Sequence, residues 1–187
     1  NTIYLLLILI SIFLIGCSNS DRDILKRTNK KLQNLKLVEY EFEYKNLNPI
    51  TGEIAQNDSM TAIFDLTGND SILGAKYHLL SNSIEFGFNG QTSYLIFKEK
   101  KQLIYAPVHS MEDLNGIFQI SYSIKTLRDL LPQMLNDAAI IFNRMADTVI
   151  NNADCIAFDI IMHGKQIGMF GNIIQKENTE GYYNLFL

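Results

Sequence analysis

The stretch Leu37-Val38-Glu39-Tyr40-Glu41-Phe42-Glu43-Tyr44-Lys45 alternates residue by residue. Val38, Tyr40, Phe42 and Tyr44 fall on one side. Glu39, Glu41, Glu43 and Lys45 fall on the other. A period of two predicts a strand with one buried and one charged face. The same pattern recurs downstream. Asn46–Gly52, with Pro49 and Gly52, reads as a turn, and Met60, Ala62, Phe64 and Leu66 alternate again. After the turn signal Gly68-Asn69-Asp70 come three further runs, Lys76–Ser81, Ile84–Phe88 and Thr92–Phe97. Asn89-Gly90 between the last two marks a hairpin, because both residues tolerate a positive φ. Lys98–Lys101 is a polar turn and Gln102–Ala106 another strand. Strands this short and this closely spaced predict an antiparallel meander.

The period changes on either side of the meander. Upstream, Ile24, Leu25, Thr28, Leu32 and Leu35 make an apolar stripe at helical spacing, with Ser20 as N-cap and Asp21 and Asp23 in the first turn. Lys26, Arg27, Lys30 and Lys31 lie opposite, as a solvated face or as a contact for anionic lipid headgroups. Downstream, Leu127, Leu130, Leu131, Met134, Leu135, Ala138, Ile141, Phe142 and Met145 recur at spacings of three and four. They predict a helical insert at about 123–145, with Pro132 breaking it or opening a second helix. Asn151-Asn152 is a turn, Cys155–Met162 is β-prone, and Gln166–Ile174 and Tyr182–Leu187 read as further strands. The expected class is therefore α+β. An amphipathic sheet must cover its apolar face, and the long apolar helices are the available cover. The simplest arrangement is a curved antiparallel sheet, an open half-barrel, with helices packed on the concave face.

The first residues have another character. From Ile3 to Ile15 only Ser11 is neither apolar nor aromatic. The run is shorter than the ~20 residues of a membrane-spanning helix and matches the h-region of a secretory signal. It ends Leu14-Ile15-Gly16-Cys17, followed by Ser18-Asn19-Ser20-Asp21. This resembles the lipobox of bacterial lipoproteins, and the alternative is a core helix that happens to end in Cys. The resemblance implies a signal peptide over 1–16 and a covalent diacylglyceryl lipid on Cys17. Residues 17–36 are then the lipidated Cys and an anchor-proximal helix, and 37–187 a single β-rich domain. Ser18 in place of Asp implies sorting to the outer membrane, facing the periplasm. The chain opens Asn1-Thr2, without a start Met or a basic n-region. It is therefore expected to be cut at this end, with C-terminal truncation expected too.

The chain has 187 residues, 47% apolar and 19% charged, with a net charge of −4. This suits one soluble domain with its own core and no disulfide framework. The mild acidity argues against nucleic acid as a partner. His78, His109 and His163 show no metal-ligand spacing, and two cysteines make no zinc cluster. P-loop, Gly-x-Ser-x-Gly and Gly-x-Gly-x-x-Gly motifs are absent. Glu39, Glu41 and Glu43 read as a solvated face rather than a cation site. With Cys17 lipidated, Cys155 has no redox partner, and Ile156, Ala157 and Phe158 beside it predict a buried, inert thiol. No catalytic residue, metal or cofactor is expected.

Val38–Tyr44 after the anchor helix, Tyr94–Tyr105, and Asp147-Thr148-Val149-Ile150-Asn151-Asn152-Ala153-Asp154-Cys155 leading into a strand carry a wider resemblance. The plan resembles the LolA/LolB-like lipoprotein-carrier fold, as found N-terminal to TlpA-like thioredoxin domains in lipoproteins of Bacteroidetes. The resemblance implies a non-catalytic domain that binds lipid or lipoprotein, or that positions a partner domain. Met134, Phe142 and Met145 are its candidate cavity lining, against the alternative of an ordinary packed core. A second implied function is the leading part of a TlpA-like thiol-disulfide oxidoreductase. Its Cys-x-x-Cys would lie beyond Leu187.

Overall fold

The computed structural model describes residues 21–47, 51–68, 71–114, 120, 123–168 and 171–187. The signal segment, Cys17 and the expected N-cap Ser20 lie outside the described residues. The fold is α+β, with mostly antiparallel sheets. The described chain forms two compact units. One comprises residues 21–31, Leu131–Gln166 and Ile174–Leu187, the other Leu32–Leu130 and Ile167–Ile173.

The larger unit is the meander. Strands β1 (Leu37–Leu47), β2 (Ile54–Asp65), β3 (Lys76–Leu80), β4 (Ile84–Phe88), β5 (Thr92–Phe97) and β6 (Gln102–Pro107) form one sheet in chain order. Every pairing between neighbours is antiparallel. The registers carry single rows across it: Val38 faces Phe64, Phe64 faces Tyr77, and Tyr77 faces Phe88. That row is the core. Phe64, Leu79 and Phe88 are fully buried, with Met60, Ala62, Leu66, Leu73 and Tyr77 around them. Each fully buried large side chain contributes ~1.5–3 kcal/mol. The rings form a ladder. Tyr40 stacks on Phe64 at 6.3 Å, Phe64 meets Tyr77 at 5.9 Å, and Tyr77 meets Phe88 at 6.0 Å. The Tyr77 hydroxyl is buried there with no hydrogen-bond partner. Burial, first, and the nearby Tyr94 push it well above the usual phenol range.

The opposite face carries the other residue of each pair. Here Gly87 of β4 lies directly across from Tyr94 of β5. The Tyr94 ring occupies the space that a Cβ on Gly87 would need. At the β4–β5 hairpin only Gly90 takes a positive φ, +98°. Asn89 contributes its side chain instead: its Oδ1 accepts from the N–H groups of Gln91 (3.0 Å) and Thr92 (2.8 Å).

Helix α1 (Asp21–Gln33) keeps Leu25 and Leu32 buried and Lys26, Arg27, Lys30 and Lys31 exposed, as its stripe predicts. Helix α2 (Ile124–Asn136) starts on Ser123, whose Oγ accepts from the Thr126 N–H at 3.3 Å, an N-cap bond. The Tyr40 hydroxyl accepts from the Ile124 N–H at 3.3 Å, and Arg128 Nη1 donates to Leu66 O at 3.0 Å. Pro132 lies inside α2 and does not break it.

The helical insert stops earlier than expected. Residues 137–145 are not helical: Ala138 and Ala139 turn the chain, and β7 (Ile140–Arg144) follows. Asp137 Oδ1 accepts from the Ala139 N–H at 3.0 Å, a local bond that competes with another helical turn. The β-branched pair Ile140-Ile141 then favours a strand. In the smaller unit β10 (Ala157–Ile167) sits between β7 and β11 (Ile173–Phe186), while β8 (Thr148–Ile150) and β9 (Ala153–Cys155) form a separate hairpin. Asn151 and Asn152 both take positive φ in its turn. The span Gln166–Ile174 is not one strand: Gln166 and Ile167 end β10, Ile173 and Ile174 open β11, and between them Gly168 N–H donates to Asn172 O at 2.8 Å, with residues 169–170 outside the described residues. Phe158, Ile160 and Met162 of β10 are buried, and face Arg144, Phe142 and Ile140 in register.

Candidate functional site

The smaller unit holds a cavity of about 310 Å³. The first turns of α1 supply Asp21, Arg22 and Leu25. The last turn of α2 supplies Met134 and Leu135, the connection Asp137 and Ala138, and β7 Ile140 and Phe142. Leu25, Met134, Leu135 and Ile140 are buried and form an apolar floor. Strand periodicity explains why Ile140 and Phe142 share it: they lie two residues apart, on the face that meets Met162 and Ile160.

The polar rim is internally partnered. Arg22 Nη2 donates to Leu135 O at 3.0 Å. The last turn of α2 has no basic residue of its own, so Arg22 supplies positive charge to its exposed carbonyls. The Asp137 carboxylate accepts from Lys165 Nζ and from the Ala139 N–H. Lys165, foremost, holds that carboxyl below the usual range. Arg144 Nη2 reaches both carboxylate oxygens of Asp147, at 3.0 and 3.1 Å, and its Nη1 stands 3.5 Å from Asp21. The rim thus presents bonded charges over an apolar floor. Its volume is at the lower end of small-ligand pockets, about 300–1,000 Å³.

Of the three expected lining residues, Met134 and Phe142 line the cavity and Met145 does not. Met145 is 39% exposed, just beyond β7. Its place in the stripe assumed a helix through 145. In a strand it falls out of phase with Ile140 and Phe142. Asp21, Arg22, Leu25 and Asp137 were not legible as site residues, because Asp21 reads only as a first-turn acid and Leu25 as part of an apolar helix stripe.

The remaining candidates disperse. His163 is exposed beside Glu180, at 3.1 Å, and His109 is exposed. His78 is half-buried on β3, with Nε2 2.7 Å from Glu85 Oε1 and its ring 6.1 Å from Tyr94. Burial, then the Glu85 charge, raises the Tyr94 phenol. Cys155 is half-exposed rather than buried, because it ends the small β8–β9 hairpin. Its thiol donates to Ala153 O at 3.4 Å. Among the described residues no group of three His, Cys, Asp or Glu side chains could hold a metal ion. Among them, too, no helix is long and apolar enough to cross a membrane. No protein-family model matches the chain, and no curated protein matches it.

Proposed function

We propose that this chain is a lipid-anchored lipoprotein of the bacterial cell envelope, non-catalytic in this segment, whose smaller unit takes up an apolar chain. The observation that carries the anchor is the h-region closed by Leu14-Ile15-Gly16-Cys17. Each buried acyl methylene contributes ~0.8 kcal/mol, so several chains on Cys17 hold the protein on a membrane. The exposed cations Lys26, Arg27, Lys30 and Lys31 begin nine residues after it and suit anionic headgroups. The antiparallel meander suits a LolA-like half-barrel with helices on its concave face, at the outer membrane facing the periplasm. The apolar floor of Leu25, Met134, Leu135, Ile140 and Phe142 favours a lipid or a lipoprotein acyl chain as the ligand.

Two measurements test this. Cells expressing the chain are labelled with a radioactive fatty acid. Label and membrane retention should both vanish in Cys17→Ser, and label that persists there sinks the anchor. Native mass spectrometry of the detergent-extracted protein should show co-purified lipid, lost on filling the cavity with Ala138→Trp. Lipid at equal occupancy in both removes the cavity from the proposal.

A further inference from the structure

The two edges of the six-stranded sheet are built differently. β1 lines its edge with exposed Glu39, Glu41 and Glu43. Charges of this kind keep an open edge from pairing with another strand. β6 has no charged residue between Gln102 and Pro107, and all six side chains are exposed. Leu103 is 59%, Ile104 56% and Tyr105 71% exposed. No described strand pairs with its outer side.

The ladder shows which backbone groups are open there. Val108 N–H donates to Gln91 O at 2.8 Å, and the β5–β6 register continues from that pair. Hydrogen-bonded and non-bonded pairs alternate along an antiparallel ladder. Residues 102, 104 and 106 therefore bond to β5. Leu103 and Tyr105 direct their N–H and C=O groups outward. Pro107 lacks an N–H, and it sits at a position where β5 needs none.

Charge selects the partner. The turn before β6 carries Lys98, Lys100 and Lys101 against one acid, Glu99. The 3₁₀ turn after it (Met111–Leu114) carries Glu112 and Asp113. Asp113 Oδ2 accepts from the N–H groups of His109 (2.8 Å) and Ser110 (3.1 Å), so this carboxylate is fixed just past the end of the strand. A strand with a basic start and an acidic end complements its own copy when the two run antiparallel.

We propose that β6 is a homodimer edge, pairing antiparallel with β6 of a second copy about a two-fold axis at Ile104. Leu103 then faces Tyr105 of the second copy, and the reverse. Each such pair exchanges both backbone bonds, so all four open N–H groups are used. Lys100 and Lys101 of each copy lie beside the Val108–Asp113 end of the other. The two sheets become one continuous sheet.

The test uses the full chain in detergent, with Cys17 and Cys155 replaced by Ser. Ile104→Cys stands opposite itself, at the ~4.5 Å Cα separation of a non-bonded pair, within disulfide range. It should cross-link to a dimer under mild oxidation. Leu103→Cys lies diagonal to its own copy, beyond the ~7 Å limit, and should not. Tyr105→Pro removes an outward N–H that the monomer does not use. It should abolish the Ile104→Cys cross-link and leave a folded monomer in sedimentation. Lys100→Glu with Lys101→Glu should weaken the dimer at low salt. A chain that stays monomeric without the Ile104→Cys cross-link overturns the proposal, and leaves the edge to a strand from a different protein. Cross-linking that survives both Tyr105→Pro and the charge reversal overturns it as well.

Discussion

Gln33 Nε2 donates to the backbone carbonyl of Arg128 at 2.6 Å, and that carbonyl is the one Pro132 leaves vacant. An α-helical N–H bonds the carbonyl four residues back, and proline has no N–H. Interior proline costs a helix ~3 kcal/mol or more when nothing compensates. A side chain from the end of α1 fills the gap, which is one reason α2 runs through Pro132.

Gln33→Ala should therefore destabilise by ~0.5–1.5 kcal/mol, the net worth of one hydrogen bond. Pro132→Ala restores an N–H to Arg128 O. In that background Gln33→Ala should cost less, and urea midpoints of the four proteins give the coupling directly.

Gly87→Ala drives a Cβ into the Tyr94 ring. The ring is the movable partner, so it should swing out and abandon His78. We expect a loss of ~1–3 kcal/mol, the usual cost of overpacking. Adding Tyr94→Ala should recover part of it. Equal losses for Gly87→Ala with and without Tyr94 would show that the backbone, not the ring, is strained.

Tyr77→Phe removes the hydroxyl that is buried without a partner. An unsatisfied buried polar group costs ~1–3 kcal/mol. The substitution should be neutral or stabilising in thermal melts, unlike most core changes. A clear fall in Tm would mean that the hydroxyl is engaged.

Asp137 carries a folded-state pKa below its ordinary value of 3.8, chiefly through Lys165. A lowered carboxyl adds stability at pH values above 3.8. That contribution disappears as pH falls through the lower folded-state value. Asp137→Asn should flatten the acid limb of a stability–pH curve and lower stability at neutral pH. If the acid limb is unchanged, the Lys165 pairing is not the cause.

The meander was legible because β1 and the Met60–Leu66 part of β2 alternate strictly and turn residues punctuate the β-prone runs that follow. The end of α2 was not. Ile141 and Phe142 fit both helical spacing and a short strand, and periodicity cannot separate the two in short apolar runs. The decision came from Asp137, whose side chain bonds two residues ahead. The cavity was half legible. Met134 and Phe142 could be named, but the other walls come from 21–25 and 135–140, which only folding assembles. β6 read as an ordinary strand, since exposure of both its faces is a tertiary fact.

The aromatic ladder has an optical consequence. The chain contains no tryptophan. Near-ultraviolet circular dichroism must then come largely from tyrosine and phenylalanine, and Tyr40, Phe64, Tyr77 and Phe88 hold fixed ring–ring geometry within the larger unit. In the smaller unit Tyr182 is 67% exposed and Tyr183 half-buried, while the buried Phe158 absorbs weakly beside a tyrosine. The tyrosine part of the near-ultraviolet band is thus weighted toward the larger unit, whereas far-ultraviolet ellipticity averages over both. Two melting curves that fail to superimpose would reveal that the units come apart in sequence, with no probe attached to the protein.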